Sequence, residues 1–190
     1  MKMLMIIGIT GTHGAGKGTI VEILKKKGFA HYSVRDFIVE EIKRRKLSIN
    51  RDNMVVIAND LREKNSPSYI AEELYRAAIT HEGDAIIESL RTPGEVTALR
   101  KKKDFYLLAV DAPVKIRYER IVKRQSSTDN VSYEKFVEDE KREMSSSNPN
   151  KQNISACMKL ADFNIVNDGS LEDLNKQIDK IYNKLLGEKE

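Results

Sequence analysis

The chain has 190 residues, with 33 Lys and Arg against 29 Asp and Glu, and therefore a formal net charge of +4. This length fits one globular domain, and 40% hydrophobic residues with few Gly and Pro exclude collagen-like, mucin-like and disordered classes. The one cysteine, Cys157, excludes an internal disulfide framework and predicts a reduced cytoplasmic protein. No apolar run reaches the ~18 residues of a membrane-spanning helix. The pI near 9.0 leaves open which anion the chain binds.

Short apolar runs alternate with longer amphipathic stretches, which is typical of βαβ units and a parallel sheet. The runs are continuous rather than alternating, as expected for strands that are covered on both faces. The pattern therefore predicts a three-layer α/β/α fold with a five-stranded parallel sheet, in one domain over residues 1–190. The predicted strands are 4–9, 30–34, 85–87, 105–110 and 163–166.

Capping residues and early prolines mark where several helices begin. Ser66-Pro67 predicts a helix that ends near Thr80, and Thr92-Pro93-Gly94-Glu95 predicts a capping box. Asp111-Ala112-Pro113 and Ser170 precede two further predicted helices, the second of which carries an apolar stripe suited to packing on a sheet.

Two stretches have patterns that predict neither strands nor helices that cover a sheet. Residues 47–82 contain two helical segments between the second and third strands, and residues 125–152 are polar and lack a continuous apolar face. Both are candidates for insertions or mobile flaps, and ordinary surface loops are the alternative.

A glycine-rich turn follows the first predicted strand and precedes a helix predicted over 20–27. Its glycines let backbone N–H groups converge on a phosphate, the helix N-terminus adds partial positive charge, and Lys17 adds a full charge. A hydroxyl is expected directly after the lysine as a Mg²⁺ ligand, but it comes one residue later, at Thr19. The sequence therefore predicts a P-loop that binds ATP through the residues Gly11-Thr12-His13-Gly14-Ala15-Gly16-Lys17-Gly18-Thr19.

The rest of the chain distinguishes among ATPases, GTPases and kinases. A guanine-specific protein should carry Asn-Lys-x-Asp after a later strand, and Asn175-Lys176-Gln177-Ile178 lacks the aspartate, which disfavours a GTPase. A kinase needs cations around both the donor and the acceptor phosphoryl groups. Arg117, Arg120 and Arg124 share one helix face after the fourth strand, although a solvated cationic face is the simpler alternative.

Further candidates fall at the carboxyl ends of strands, where open α/β sheets bind ligands. Glu88 ends the third strand as a candidate for holding Mg²⁺ or its waters, and Arg91 follows it. Arg35 and Asp36 follow the second strand, where a helix-capping role for Asp36 is the alternative. These positions predict a kinase site along one edge of the sheet.

These segments together resemble the adenylate-kinase-type nucleoside monophosphate kinases over most of the chain. The P-loop matches that family's own form, including Gly18, and Glu88-Ser89-Leu90-Arg91-Thr92 resembles its Asp-Gly-Phe-Pro-Arg-Thr segment. Residues 32–36, 110–124 and 167–169 resemble the start of its acceptor region, the approach to its lid and its adenine loop.

The resemblance implies transfer of the ATP γ-phosphoryl group to a nucleoside monophosphate, with Mg²⁺ held largely through water. It implies an acceptor region over 35–82 and a short helical lid over 125–152. The implied donor-site residues outside the P-loop are Arg120, Arg124 and Gly169. The implied acceptor residues are Ser33, Arg35, Asp36 and Arg91, and the implied metal residues are Glu88 and Thr19. The expected catalytic residues are Lys17, Asp36, Arg91, Arg120 and Arg124, with Asp36 positioning or deprotonating the acceptor oxygen.

Two departures from the family leave alternatives open. The family's arginine three residues after the aspartate falls at Val39, for which Arg35 is a candidate replacement, and the lid is short, with Arg142 as a candidate for reaching the phosphates on closure. Residues 161–174 also resemble the end of dephospho-coenzyme A kinases. The alternatives are therefore a dephospho-coenzyme A kinase or a regulatory ATPase without a small-molecule acceptor.

Three lysine-rich clusters raise the question of nucleic-acid binding. They lie at 25–27, 43–46 and 100–103, each at the predicted C-terminus of a helix, where basic residues complement the helix dipole. This explanation disfavours a nucleic-acid partner and leaves small nucleotides as the expected partners. The sequence does not predict an oligomeric state.

Overall fold

The computed structural model describes residues 4–81, 83–102, 105–124 and 131–187. Its five parallel strands form one sheet in the order β2-β3-β1-β4-β5, which confirms the predicted α/β fold. The P-loop strand β1 lies at the centre, so the loop after it emerges from the middle of one sheet edge. The strands are β1 (Ile6–Gly11), β2 (Ala30–Ser33), β3 (Ala85–Glu88), β4 (Phe105–Asp111) and β5 (Phe163–Val166).

The helices of the described residues connect and cover these strands. Three of them lie between β2 and β3, where the sequence predicts the acceptor region. Another follows residues 125–130, which lie outside the described part. The helices are α1 (Lys17–Lys25), α2 (Val34–Arg44), α3 (Arg51–Lys64), α4 (Tyr69–Ile79), α5 (Pro93–Arg100), α6 (Val114–Arg124), α7 (Tyr133–Met144), α8 (Ile154–Lys159) and α9 (Leu171–Gly187).

The two faces of the sheet bury separate hydrophobic clusters, because neighbouring residues of a strand point to opposite faces. Ile6 of β1 belongs to the cluster that includes residues of α2, α3, α4 and α5. Ile7 belongs to the other cluster, with residues of α1 and α9. Helices therefore cover both faces, which gives the predicted three layers.

The helix boundaries follow the caps, with two corrections. The helix predicted over 20–27 is α1, which begins at Lys17, directly after its N-cap Gly16, and ends at Lys25. Thr92 and Glu95 form the predicted capping box of α5. However, α4 begins at Tyr69 after Ser68, not at Ser66-Pro67 as predicted. The Pro67 carbonyl instead accepts a hydrogen bond from the Thr92 hydroxyl at 3.1 Å, which keeps this proline outside the helix.

The lysine-rich clusters lie at helix ends, as predicted. Lys25 ends α1, Lys43 and Arg44 end α2, and Arg100 ends α5, while Lys103 lies outside the described residues. Within the described ranges, no helix is long and apolar enough to span a bilayer.

Candidate functional site

The P-loop connects β1 to α1 and is shaped by glycines that no other residue can replace. Gly14 has φ +80°, and a Cβ on it would lie 2.6 Å from the Arg117 carbonyl oxygen. Gly16 caps α1 with φ +105°, and a Cβ there would lie 2.3 Å from Asn167 Nδ2. Both the backbone conformation and the close packing therefore require glycine at these two positions.

Asn167, in the loop between β5 and α9, forms a hydrogen bond with the P-loop backbone. Its Nδ2 donates to the Ala15 carbonyl oxygen at 2.8 Å, and its backbone N–H donates to the Asp111 carbonyl oxygen at 2.8 Å. The Asp111 carboxylate in turn accepts a hydrogen bond of 2.5 Å from the Thr12 hydroxyl. The resemblance implies that this loop passes the donor adenine, whereas the contact of Asn167 with the P-loop is not predicted from the sequence.

Lys17 is buried at the start of α1 with its ammonium group inside the loop. Its Nζ donates to the carbonyl oxygens of Gly11 at 3.0 Å and Thr12 at 2.7 Å. Burial, together with the nearby charges of Arg91 and Arg124, lowers the pKa of Lys17 to about 7, although Glu88 and Glu143 oppose part of this shift. An anion at this position would restore the charged form.

One cavity of about 740 Å³ joins the P-loop to α2 and α3. Its volume lies within the range of about 300–1,000 Å³ that is usual for small-molecule sites. The cavity is lined by more cationic residues than carboxylates, and the two carboxylates are those of Glu88 and Glu143. One wall of the cavity is apolar and consists of Val34, Ile38, Met54, Val55 and Ala58. The cationic residues that line it are Lys17, Arg35, Arg51, Arg62, Arg91, Arg120 and Arg124.

The cavity brings together many of the residues singled out in the sequence. Gly11, Thr12 and Ala15 shape the P-loop without lining the cavity, and Ser33 and Gly169 do not line it either. The predicted residues that do line it are His13, Gly14, Gly16, Lys17, Gly18, Thr19, Arg35, Glu88, Arg91, Arg120 and Arg124.

Glu88 ends β3 beside the P-loop. His31 Nε2 lies 3.3 Å from its Oε2, and the Ser89 hydroxyl donates to its Oε1 at 3.1 Å. Burial opposes ionisation of Glu88, but His31 and the Lys17 charge outweigh it, so the pKa of the carboxyl is lowered. Ser89 has φ +72°, a conformation that strains a residue with a side chain.

Arg91 and Arg51 hold the carboxylate of Glu143 between them. Arg91 Nη1 donates to Glu143 Oε2 at 2.6 Å and to Gln152 Oε1 at 2.7 Å. Arg51 donates to Glu143 Oε1 from Nη2 at 2.8 Å and from Nε at 3.1 Å. Burial raises the pKa of Glu143, but Arg91 and Arg51 outweigh it and lower the pKa to about 2. Arg51 and Glu143 were not predicted from the sequence.

Arg62 is a second cation of the cavity that was not predicted from the sequence. It is 1% exposed and pairs with the fully buried Glu95, whose Oε1 accepts from its Nη2 at 2.8 Å and from its Nε at 3.1 Å. Its Nη1 is buried and has no hydrogen-bond partner in the described part of the chain. Glu95 Oε2 also accepts the backbone N–H of Arg91 at 2.8 Å, so one carboxylate positions two arginines.

Arg120 contributes an open donor on the α6 side of the cavity. Its Nη1 is buried and makes no hydrogen bond to any residue that the structure describes. Arg117, expected on the same face, is buried and instead donates to the carbonyl oxygens of Ala112 at 2.7 Å and His13 at 3.2 Å, and pairs with Glu140. Arg117 therefore supports the P-loop rather than facing the cavity.

Two residues assigned from the sequence lie away from the cavity. Asp36 is exposed in the first turn of α2, where its N–H donates to the Oγ of Ser33, the N-cap, at 3.1 Å. Arg142 pairs with Asp52 at 3.5 Å and Asp139 at 3.4 Å. Neither contributes to the cavity lining in this structure.

Comparisons with known proteins agree with this fold. A family model described as an AAA domain matches residues 7–146. A gluconokinase from Sinorhizobium meliloti has a similar structure, with a TM-score of 0.57 at 10% identity over 100% of both chains. A shikimate kinase from Bacteroides thetaiotaomicron has a TM-score of 0.54 at 14% identity, over 96% of this chain and 99% of its own. These likenesses show a P-loop kinase-like fold.

Sequence relatives cover nearly the whole chain. A UPF0200 protein of Methanocaldococcus jannaschii is 34% identical over 96% of this chain and 91% of its own length. A UPF0200 protein of Pyrococcus abyssi is 32% identical over 96% of this chain and 97% of its own. The chain therefore belongs to the UPF0200 family, and its residues 7–146 belong to the AAA-domain family.

Proposed function

We propose that the protein is a cytoplasmic kinase that transfers the γ-phosphoryl group of ATP to a nucleoside monophosphate. The observation that carries this proposal is that one cavity joins the P-loop to a second group of arginines along an apolar wall. Such a cavity suits two anionic ligands placed end to end, which is the arrangement that phosphoryl transfer needs.

The donor phosphates bind at the P-loop. Its backbone N–H groups, the N-terminus of α1 and the Lys17 ammonium face the β- and γ-phosphates. Arg120 and Arg124 line the same part of the cavity from α6. Arg120 Nη1 has no hydrogen-bond partner among the residues that the structure describes, which makes it a donor for a phosphate oxygen. These cations stabilise the charge that spreads over the transferring group.

Mg²⁺ fits the donor set beside the P-loop. Proteins hold this ion through one or two carboxylates, with waters and substrate phosphates completing the shell. Glu88 supplies an ionised carboxylate and Thr19 a hydroxyl in the same cavity. Glu88 and Thr19 would hold this ion beside the P-loop, where it would neutralise part of the phosphate charge.

The acceptor lies on the side of α2 and α3. Arg51, Arg62 and Arg91 provide cations for its phosphate, and Ile38 and Met54 belong to an apolar wall that suits a base. A phosphate monoester loses its second proton with a pKa of about 6, so its attacking oxygen carries no proton at neutral pH. The reaction then needs no general base, which is consistent with Asp36 lying outside the cavity.

This chemistry favours a monophosphate over the alternatives. A hydroxyl acceptor, as in a dephospho-coenzyme A kinase, has to lose its proton to a base, and such a base works best with a pKa near the working pH. Glu143 is bound by two arginines with a pKa of about 2, and the pKa of Glu88 is also lowered. The arginine missing at Val39 slightly favours the regulatory ATPase hypothesis, but Arg51 and Arg62 supply cations in its place.

A phosphoryl-transfer assay tests the proposal. ATP and Mg²⁺ are incubated with each of a panel of nucleoside monophosphates and with dephospho-coenzyme A, and the products are separated by ion-exchange chromatography. We expect a nucleoside diphosphate, and we expect Lys17→Met to lower the rate about 100-fold or more. The control is Lys25→Met, which removes an exposed lysine of the same helix. Clear ATP hydrolysis without any phosphorylated acceptor would contradict the proposal.

A further inference from the structure

We propose that the acceptor phosphate binds between Arg51 and Arg91, in the place that the Glu143 carboxylate occupies, and that Glu143 holds this place until the acceptor arrives. The inference deepens the proposed function and rests on it. It identifies the anion subsite of the acceptor and a residue that competes with the acceptor for it.

The first support is the geometry of Glu143. Its two carboxylate oxygens are divided between two arginines, with Oε1 bound by Arg51 and Oε2 bound by Arg91. Arginine recognises the oxygens of carboxylates and phosphates by the same charge-assisted hydrogen bonds. A site that holds one of these groups between two guanidinium ions has the chemistry to hold the other.

The second support is independent and comes from Arg62. A buried guanidinium nitrogen without a partner is costly, because its desolvation is not compensated. Arg62 Nη1 is in this state among the described residues, and Arg62 lines the cavity that Arg51 and Arg91 also line. An incoming phosphate offers more oxygens than the Glu143 carboxylate and can satisfy this third donor.

The subsite is also held in shape before any ligand binds. Glu95 fixes Arg62 through Oε1 and the backbone N–H of Arg91 through Oε2. Gln152 accepts a second hydrogen bond from Arg91 Nη1, so the Arg91 side chain keeps a partner after Glu143 leaves. Exchange of Glu143 for a phosphate therefore replaces one anion by another in a preformed site.

The exchange links acceptor binding to the α7 helix that carries Glu143. Phe136 of this helix packs against His13 of the P-loop, with ring centroids 6.0 Å apart, and Glu140 pairs with Arg117. These contacts tie α7 to the P-loop and α6, whereas Glu143 ties it to Arg51 and Arg91. Asp139 of α7 also lies 3.6 Å from Arg51 Nε, measured from its Oδ2. Acceptor binding releases only the Glu143 contacts.

Phosphate binding to the Glu143→Gln variant tests this inference. The full chain is saturated with a non-hydrolysable ATP analogue and Mg²⁺ to fill the P-loop, and inorganic phosphate is titrated by calorimetry. Removal of the competing carboxylate is expected to tighten phosphate binding about tenfold, because the open subsite becomes the main population. Acetate is titrated in parallel and is expected to gain less than phosphate. An equal or larger gain for acetate would overturn the assignment to phosphate.

The matched control is Glu41→Gln. Glu41 also accepts hydrogen bonds from two arginines, Arg44 and Arg45, and these lower its pKa to about 2, but it does not line the cavity. This variant should bind phosphate like the unmodified protein.

A folded Glu143→Gln variant with unchanged or weaker phosphate affinity overturns the inference. If Glu143→Gln does not fold, Glu143→Asp is tested in its place. This variant keeps the negative charge, but its side chain is one methylene shorter, so the carboxylate lies farther from Arg51 and Arg91. If Glu143→Gln binds the ATP analogue normally but its phosphate affinity is unchanged, this inference alone is contradicted. If the unmodified protein does not bind the ATP analogue, the proposed function on which the inference rests is contradicted.

Discussion

Asn167 and Gly16 meet so closely that a Cβ on Gly16 would lie 2.3 Å from Asn167 Nδ2. The same Nδ2 donates to the carbonyl oxygen of Ala15, the neighbour of Gly16. The loop after the edge strand β5 therefore fixes the P-loop by one hydrogen bond and by close packing. This contact orients the peptide just before α1, whose N-terminus faces the proposed phosphates.

Substitutions at these two positions should not be additive. Asn167→Ala leaves a buried acceptor without a partner and should lower the free energy of unfolding by about 1–3 kcal/mol. Gly16→Ala should cost more, because it adds the clash to a backbone at φ +105°. In the double variant the clash is absent but the strain remains, so its loss should be smaller than the two single losses together. Urea unfolding measures all three, and strictly additive losses would contradict the argument.

Lys17 should take up a proton when ATP binds at pH 8. Burial lowers the pKa of Lys17 to about 7 in the free protein, so most of the lysine is neutral at this pH. The phosphates favour the charged ammonium and raise the pKa, so binding of the analogue should be accompanied by the uptake of about one proton per protein molecule. Calorimetry with an ATP analogue in two buffers of different ionisation enthalpy measures this uptake. Lys17→Arg is the control, because arginine stays charged and should show no proton uptake. Equal binding enthalpies in both buffers for the unmodified protein would count against the lowered pKa.

Glu88→Gln should raise the Mg²⁺ concentration needed for half-maximal phosphoryl transfer. The substitution keeps the shape of the side chain but replaces an ionised carboxylate, the type of ligand that Mg²⁺ prefers, by a neutral amide. Binding of the ATP analogue without Mg²⁺ should change little by comparison. Glu22→Gln, at an exposed carboxylate of α1, is the control. An unchanged Mg²⁺ dependence in Glu88→Gln would remove Glu88 from the proposed metal site.

The sequence predicts the sheet well because continuous apolar runs are a strong local signal. The strand 163–166 is found at the predicted residues, and the strands predicted at 30–34 and 85–87 are within one residue. The first strand is shifted, from 4–9 to Ile6–Gly11. Its last two residues are not apolar, and they are extended because they pair with Ala109 and Val110 of β4. That pairing is a tertiary contact, which no local pattern contains.

The acceptor side of the cavity was predicted less completely than the P-loop. A P-loop is contiguous in sequence, whereas the arginine cluster comes from α3 and the loop after β3, and its carboxylate partner Glu143 comes from α7. A signal was nevertheless present in α3, where Arg62 falls on the buried stripe with Ala58 and Leu61. In α7, Glu143 shares the buried face with Phe136. Charged residues on a buried helix face indicate a partner or a ligand, but not which one.

Ser89 should be a site where glycine stabilises the protein relative to alanine. Its φ of +72° costs a residue with a Cβ about 1–2 kcal/mol, and the segment that it resembles has glycine there. Both Ser89→Gly and Ser89→Ala lose the hydrogen bond to Glu88, so the comparison between them isolates the backbone strain. Glycine also gains entropy in the unfolded chain, which reduces the difference to about 1 kcal/mol. Urea unfolding of the two variants measures it, and an alanine variant as stable as the glycine variant would show that the backbone at Ser89 is not strained.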